Sequence, residues 1–426
     1  MLKRVPYVQG IVWLMVLFVV PLPLIQALAL GLPATYASES LAIQWGSIAY
    51  VWFLAAIYLS TRPKWLDRLI GLPSVYFIHG ILSIFAISLA YLHKTGTQSF
   101  GLIKQTGDWS FDLFMGLAIY SLVFMAGWLT NRSRLLRQVK RQLERIFHHE
   151  FSVWLHRLNL VAVLLVFIHV QLISYITAIT AYIWLFNGYT AVVMGLYLWQ
   201  KYRQIWRLPR ARLVATRRLT TNFVELTFQL RHPQQLKVAA GDYVFLKFPE
   251  IAGLRELHPF SVVNAVDDSG IVVLAIRGDG DFTRQVQTVS VGSQARLMGG
   301  YGRFMTVLQE HPHDRLVLIG GGSGIVPLLA IIAAKPAVNV DLYYTAHTVG
   351  QLIYAQELRR RASTQSQLSL HVQASRFDVT QTVAGLNSTA TIYLISGPAV
   401  MGRTWQRALT QHGVAAKDMY YEEFNW

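Results

Sequence analysis

Four histidines stand where histidine is costly. His79 and His93 lie fourteen residues apart in an apolar stretch from Ser74 to His93, and His156 and His169 lie thirteen apart in another from Phe151 to Gln171. Each stretch has about the 20-residue length that crosses a bilayer as a helix. An ionisable side chain in such a helix is a functional candidate, because burying it in hydrocarbon is expensive. At about 1.5 Å per residue, the two imidazoles of each stretch sit roughly 20 Å apart along the axis. Two such helices side by side offer two opposed histidine pairs, one near each membrane face. That is a ligand set for two stacked haems, each with two axial imidazoles. A packed or interfacial histidine is the alternative for any one of the four; the matched spacing weighs against it for all of them together. One point fits poorly. Fourteen residues leave His79 and His93 within about 40° of each other around an ideal helix, whereas thirteen leave His156 and His169 about 140° apart. The second helix is therefore expected to be distorted, with a π-bulge as one cause, or the haems to be rotated.

The elements around these residues sort the chain into a membrane half and a second half. At 426 residues it has room for two or three domains. It is 53% hydrophobic and only 14% charged, and the apolar residues concentrate before residue 200. Six spans are expected, at 8–31, 41–60, 74–93, 111–129, 152–173 and 178–199. Basic residues flank alternate ends: Lys3 and Arg4, then Arg62, Lys64 and Arg68, then the run from Arg132 to Arg145, then Lys201 to Arg212. The positive-inside rule then places both termini in the cytoplasm. The net charge of +16 is thus a topology signal rather than a nucleic-acid footprint. The first apolar run continues without a small-residue cleavage site and is read as an uncleaved helix. With no cysteine, thiol catalysis, disulfides and iron–sulfur clusters are excluded.

From Arg210 onward, short alternating runs broken by Gly, Pro and Asp predict a small antiparallel β-barrel, residues 206–308. Strands then alternate with helical segments, predicting a parallel α/β Rossmann-like domain over 309–426. Gly320, Gly321, Gly322, Ser323, Gly324 and Pro327 follow an apolar strand and open a helix. Glycines let a backbone approach a pyrophosphate, and the helix N-terminus favours the anion; a plain strand–helix turn is the alternative. No acidic residue takes the ribose role of NAD-type folds. Ser375 and Arg376 instead follow a later strand, a hydroxyl and guanidinium suited to a 2′-phosphate, with an exposed arginine as the alternative.

Further stretches carry a family resemblance. His258-Pro259-Phe260-Ser261 resembles the flavin motif of the ferredoxin–NADP reductase superfamily in its membrane branch. Arg277 to Thr283 resembles the second flavin stretch, and Gly299 to Gly302 the glycine-rich turn that closes the barrel. Ser396-Gly397-Pro398 resembles a Cys-Gly-Pro motif beside the nicotinamide. Glu422-Glu423-Phe424 resembles a terminal segment whose aromatic stacks on the flavin. Joined to six spans and the histidine pairs, the chain is similar throughout to the NADPH oxidase and ferric reductase family, and most of all to its short bacterial oxidases without calcium-binding hands.

The resemblance implies FAD held by His258, Pro259, Phe260, Ser261, Ile276, Arg277, Gly280 and Thr283. It implies NADPH at the 320–327 loop, Ser375, Arg376, Gly397 and Pro398, with Ser396 and Phe424 at the hydride-transfer centre. His79 with His156, and His93 with His169, would ligate two b-type haems. The implied protein lies in a bacterial plasma membrane, surrounded by lipid and without an obligate protein partner, and passes electrons to external molecular oxygen to form superoxide. A ferric-chelate reductase, or a haem subunit feeding a partner, shares this architecture. The chain departs from relatives at His347, where many have Arg, which leaves NADPH over NADH open. It also departs at Ser396 for Cys, and at Thr97 with no Arg ending the second span, which bears on oxygen reduction.

Overall fold

The computed structural model describes residues 8–124, 149–311, 313–335, 337–386 and 390–423. Phe424 and the basic run from Arg132 to Arg145 lie outside the described residues. The chain forms two compact units: Tyr7–Pro63 with Ser74–Tyr202, and Lys64–Pro73 with Arg203–Trp426.

The first unit is helical. Five of its described helices are long and apolar enough to cross a membrane: Gly10–Gly31, Ala34–Ser60, Leu72–Gly96, Trp154–Gln171 and Thr180–Arg207. The fourth expected span, 111–129, falls in a helix that starts earlier, at Gly101, and is described to Phe124. Its first turns carry Lys104, Asp108 and Asp112, so it is less apolar than the other five. Residues 101–110, expected as a loop, are helical. An i,i+4 pair, Lys104 to Asp108 at 2.5 Å, supports the turn there, and Lys94 reaches the same carboxylate at 2.9 Å. Pro21 lacks the N–H that would continue the first helix, which breaks there and resumes at Leu22–Gly31. Aromatic side chains fill the helical core: Phe53 stacks on Phe114 at 3.9 Å and Tyr50 on Phe186 at 4.4 Å.

The fifth span is distorted, but not by a π-bulge. One helix ends at His156 and the next begins at Asn159. Between them Arg157 N–H bonds to Trp154 O, Leu158 to Leu155, Leu160 to Arg157 and Val161 to Leu158, all i to i−3. This is 3₁₀ tightening, which turns about 120° per residue rather than 100°. Four such residues add about 80°, which brings the thirteen-residue spacing most of the way back to one face.

The second unit holds two sheets. Strands β1 (Arg210–Thr220), β2 (Phe223–Leu230), β3 (Tyr243–Lys247), β4 (His258–Ser261), β5 (Ile271–Arg277) and β6 (Gln294–Tyr301) form an antiparallel sheet in the order β4-β3-β6-β1-β2-β5. On β2, Val224, Leu226, Phe228 and Leu230 are buried and the residues between them face the other way, the period-two pattern of a half-buried strand. The expected barrel is only lightly closed. The two edges meet through the bridge Val262–Leu274 and the bond from Val263 N–H to Val273 O, rather than through a ladder.

Strands β7 (Arg315–Gly321), β8 (Asn339–Thr345), β9 (Leu368–Gln373), β10 (Thr391–Gly397) and β11 (Met419–Glu423) form a parallel sheet in the order β11-β10-β7-β8-β9. Interior strand β10 is buried along its whole length, as a strand covered on both faces must be.

Residues 64–73 join this second unit through charge. Arg68 makes a two-pronged bond to Asp242 at 2.7 and 2.6 Å. Asp67 accepts from Leu72 N–H at 2.8 Å and Gly302 N–H at 3.0 Å, and Lys64 donates to the Gly299 carbonyl.

Candidate functional site

The helical unit brings the four histidines together in two pairs. The rings of His79 and His156 have centroids 6.0 Å apart, and those of His93 and His169 are 6.3 Å apart. Two imidazoles bound end-on to one metal, each at about 2 Å, set their centroids roughly 6 Å apart. The ring nitrogens are committed in a matching way. Nδ1–H of His79 donates to Ala56 O at 2.9 Å, that of His93 to Ala42 O at 2.9 Å, and that of His169 to Ile103 O at 2.8 Å. His156 Nδ1 shares a hydrogen bond with Ser121 Oγ at 3.0 Å, and Asn159 donates to the His156 carbonyl at 2.7 Å. Occupied Nδ1 atoms leave Nε2 as the free donor atom and fix the ring orientation, as the outer hydrogen bond of a metal-bound histidine does.

Helix Ser40–Ser60 supplies two of these carbonyls, and 56 − 42 = 14 equals the 93 − 79 = 14 spacing of the histidines they hold. Small residues make room: a Cβ on Gly46 would lie 2.8 Å from His93 Nδ1, and one on Gly107 3.2 Å from His169. The indole N–H of Trp52, on the same helix, is buried without a partner among the described residues. These groups fit a flat macrocycle held between each ring pair.

In the second unit the two flavin stretches meet. His258, Pro259, Phe260 and Ser261 form β4, pairing with Leu246, Phe245, Val244 and Tyr243 of β3. Ile276 and Arg277 end β5. Gly280 caps the helix Asp281–Val286, and its N–H donates to Thr283 Oγ1 at 2.8 Å. Phe282 of that helix stacks on His258 at 3.9 Å and lies 6.0 Å from Phe260. That contact joins the first stretch to the second.

The glycine loop meets the Ser-Gly-Pro turn. Gly320 and Gly321 end β7, a turn spans Gly322–Gly324, and the buried helix Ile325–Ala334 follows, with Pro327 in its first turn. Gly322 has φ +56°, where glycine is at ease. A Cβ on Gly324 would fall 2.1 Å from the Ser396 carbonyl oxygen, and one on Gly397 3.1 Å from that of Gly321. Ser396 Oγ is fully buried with no partner among the described residues. Pro398 precedes the helix Ala399–Gln411. Ser375 and Arg376 are exposed just beyond β9, where Thr345 Oγ1 donates to the Ser375 carbonyl. Ser323 lies in the turn beside Gly322.

Residues 209–316 match a family of FAD-binding domains. Within this FAD-binding domain lie β1 to β6 and both flavin stretches. Among curated proteins, the chain is 30% identical over 156 residues to the reductase component of propane 2-monooxygenase from Rhodococcus jostii, covering 35% of this chain and 41% of that one. It is 30% identical over 128 residues to ferric reduction oxidase 5 of Arabidopsis thaliana, covering 29% and 17%. It is 28% identical over 130 residues to respiratory burst oxidase homolog protein F of the same plant, covering 25% and 13%. The chain thus spans less than half the length of each of these relatives.

Two features around the FAD-binding domain were not visible in the sequence. The first is the segment 64–73, seated on the Gly299–Gly302 turn. Beside it, Glu422 is buried near Asp67 and Asp242; burial, and then those two carboxylates, hold its carboxyl well above the usual value of 4.5. The only sequence signal was a pair of basic residues, Lys64 and Arg68, which topology already explained. The second is a cleft of about 470 Å³ between β1 and residues 349–359, which holds none of the predicted site residues.

Proposed function

We propose that the chain is a transmembrane NADPH oxidase. It passes electrons from cytosolic NADPH through FAD and two b-type haems to external oxygen, making superoxide. The observation that carries the reading is the pair of histidine couples, 6.0 and 6.3 Å between centroids, with Nδ1 of three rings tied to backbone carbonyls. Packed histidines need neither the facing rings nor the freed Nε2 atoms.

His79 and His156 would hold one haem, His93 and His169 the other. Bound FAD exchanges a two-electron hydride for single electrons, and bound haem iron offers a one-electron path. The protein's residues do the rest. Backbone around Gly320–Gly324 and the N-terminus of the following helix favour a pyrophosphate. Ser396 Oγ offers an unspent hydrogen bond beside the nicotinamide position. Ser375 and Arg376 offer a 2′-phosphate a hydroxyl and a guanidinium. The two flavin stretches, joined through His258 and Phe282, hold the flavin. Six spans with both termini cytoplasmic, in a bacterial plasma membrane, complete the proposal. Domain limits are 1–205, 206–308 and 309–426, with segment 64–73 docking on the second part. The arrangement needs lipid around it and no obligate protein partner.

A ferric-chelate reductase is the second reading. The likeness to a plant ferric reduction oxidase is as high as that to a respiratory burst oxidase, which favours keeping it. One assay separates them: purified protein with NADPH, offered oxygen or ferric citrate in turn. A dismutase-sensitive signal with oxygen supports the oxidase, and ferric reduction that proceeds without oxygen supports the reductase. Neither activity, with haem and flavin bound, contradicts both.

A further inference from the structure

The boundary between the antiparallel and parallel sheets carries a knot of three side chains. Arg217 of β1 donates from Nε and Nη2 to the two oxygens of Glu225 on β2, at 2.9 and 2.7 Å. The Tyr354 hydroxyl donates to the same carboxylate at 2.5 Å, and the Arg217 guanidinium lies 5.8 Å from the Tyr354 ring centroid. The Glu225 side chain is only 14% exposed, while its partner Arg217 is 58% exposed, so the pair sits at the solvent edge of the boundary.

Tyr354 is held there at a cost. Its backbone has φ 58°, ψ 8°, a left-handed conformation that a bulky residue adopts only when its surroundings impose it. It is the residue before the helix Ala355–Thr364, and its carbonyl accepts the bond from Leu358 N–H at 2.9 Å. A shift of Tyr354 therefore moves that helix. On the other side, β2 leads directly to the flavin stretch. Glu225 pairs with Ala275 and Phe223 with Arg277 of β5. Phe223 is itself buried in the core of the parallel-sheet part. The cleft between β1 and residues 349–359 lies alongside, so the boundary is not packed solid and an angle must be set by specific contacts.

We propose that Arg217, Glu225 and Tyr354 form a latch that fixes the angle between the FAD-binding sheet and the parallel sheet, with Tyr354 a positioning residue for hydride delivery across that boundary. This rests on the reading of the two sheets as flavin and nucleotide carriers. None of the three is among the residues expected to hold either cofactor. The latch acts by holding the acceptor and donor frames at one separation, and hydride transfer is steep in that separation.

The test uses the full-length protein with flavin bound. Tyr354→Phe keeps the ring and removes only the hydroxyl; Tyr354→Gly also relieves the left-handed backbone. Rapid mixing with NADPH without oxygen reads flavin reduction. Both variants are expected to lower the limiting rate by about threefold or more, with half-saturation changed less than twofold, the signature of positioning rather than binding. Tyr354→Phe combined with Glu225→Gln is expected to be no slower than the worse single variant, because one contact is lost twice. Hydrogen exchange without nucleotide supplies an independent readout, with faster exchange expected in 219–225 and 352–358 of Tyr354→Phe. Wild-type rates and exchange in Tyr354→Phe would overturn the latch. A wild-type protein whose flavin NADPH does not reduce would overturn the nucleotide reading instead, and the exchange comparison would still judge the latch.

Discussion

At the residue scale, what matters is which atoms are free to bind and which are spent. His79→Ala or His156→Ala would leave one of the proposed haem irons with a single imidazole. Bound haem is expected to fall by about half while flavin content holds, since the flavin stretches lie in the other unit. Unchanged haem in both variants would remove the ligand assignment. Gly46→Ala tests the setting of the His93–His169 pair, because the new methyl would sit 2.8 Å from His93 Nδ1 and displace the ring from Ala42 O. A changed haem spectrum with full haem content is expected.

Glu422 gives a prediction in pH. Burial and two neighbouring carboxylates raise its carboxyl above 4.5, so the folded chain binds that proton more tightly than the unfolded chain. The stability this gives is complete below about 4.5 and is lost as pH rises toward the folded value. Glu422→Gln, which cannot ionise, is expected to flatten that fall. Melting temperatures across the pH range check it, and parallel curves for the two proteins would contradict it.

At the element scale, Arg68→Ala leaves Asp242, 1% exposed, with an unmatched charge. The expected loss is about 3 kcal/mol, the low end for a broken buried pair because Arg68 is itself 28% exposed. Removing both charges, as Arg68→Met with Asp242→Asn, is expected to cost less than removing one. Chemical denaturation of Arg68→Met, Asp242→Asn and the double variant measures this; a double loss equal to the sum of the two single losses would mean the pair carries no coupling.

Elements differ in how far they were legible. The period-two pattern of β2 and the glycine loop after β7 follow from local residue types, and the sequence shows both. The histidine spacing of fourteen was legible because it needs only a straight helix. The spacing of thirteen called for a distortion that is indeed present, but 3₁₀ bonds and π-bulges leave no distinct mark in a run such as Trp154 to Val161. The helical start at Gly101 was hidden by its charges, whose i,i+4 pairing only a structure displays. Segment 64–73 and Tyr354 were invisible for a different reason. Their roles come from partners 174 and 129 residues away, and a left-handed tyrosine has no signature in one sequence.

At the scale of the whole molecule, one chain is proposed to carry electrons from a nucleotide to the paired histidines. The most direct measurement is anaerobic addition of NADPH to the purified protein with flavin and haem bound, followed in the haem bands. Flavin bleaching followed by reduction of both haems is expected; in His79→Ala the flavin is expected to bleach while the remaining haem stays oxidised. In the unsubstituted protein, flavin bleaching with haems that stay oxidised would contradict this route, since the histidine pairs would then lie off the path of the electrons.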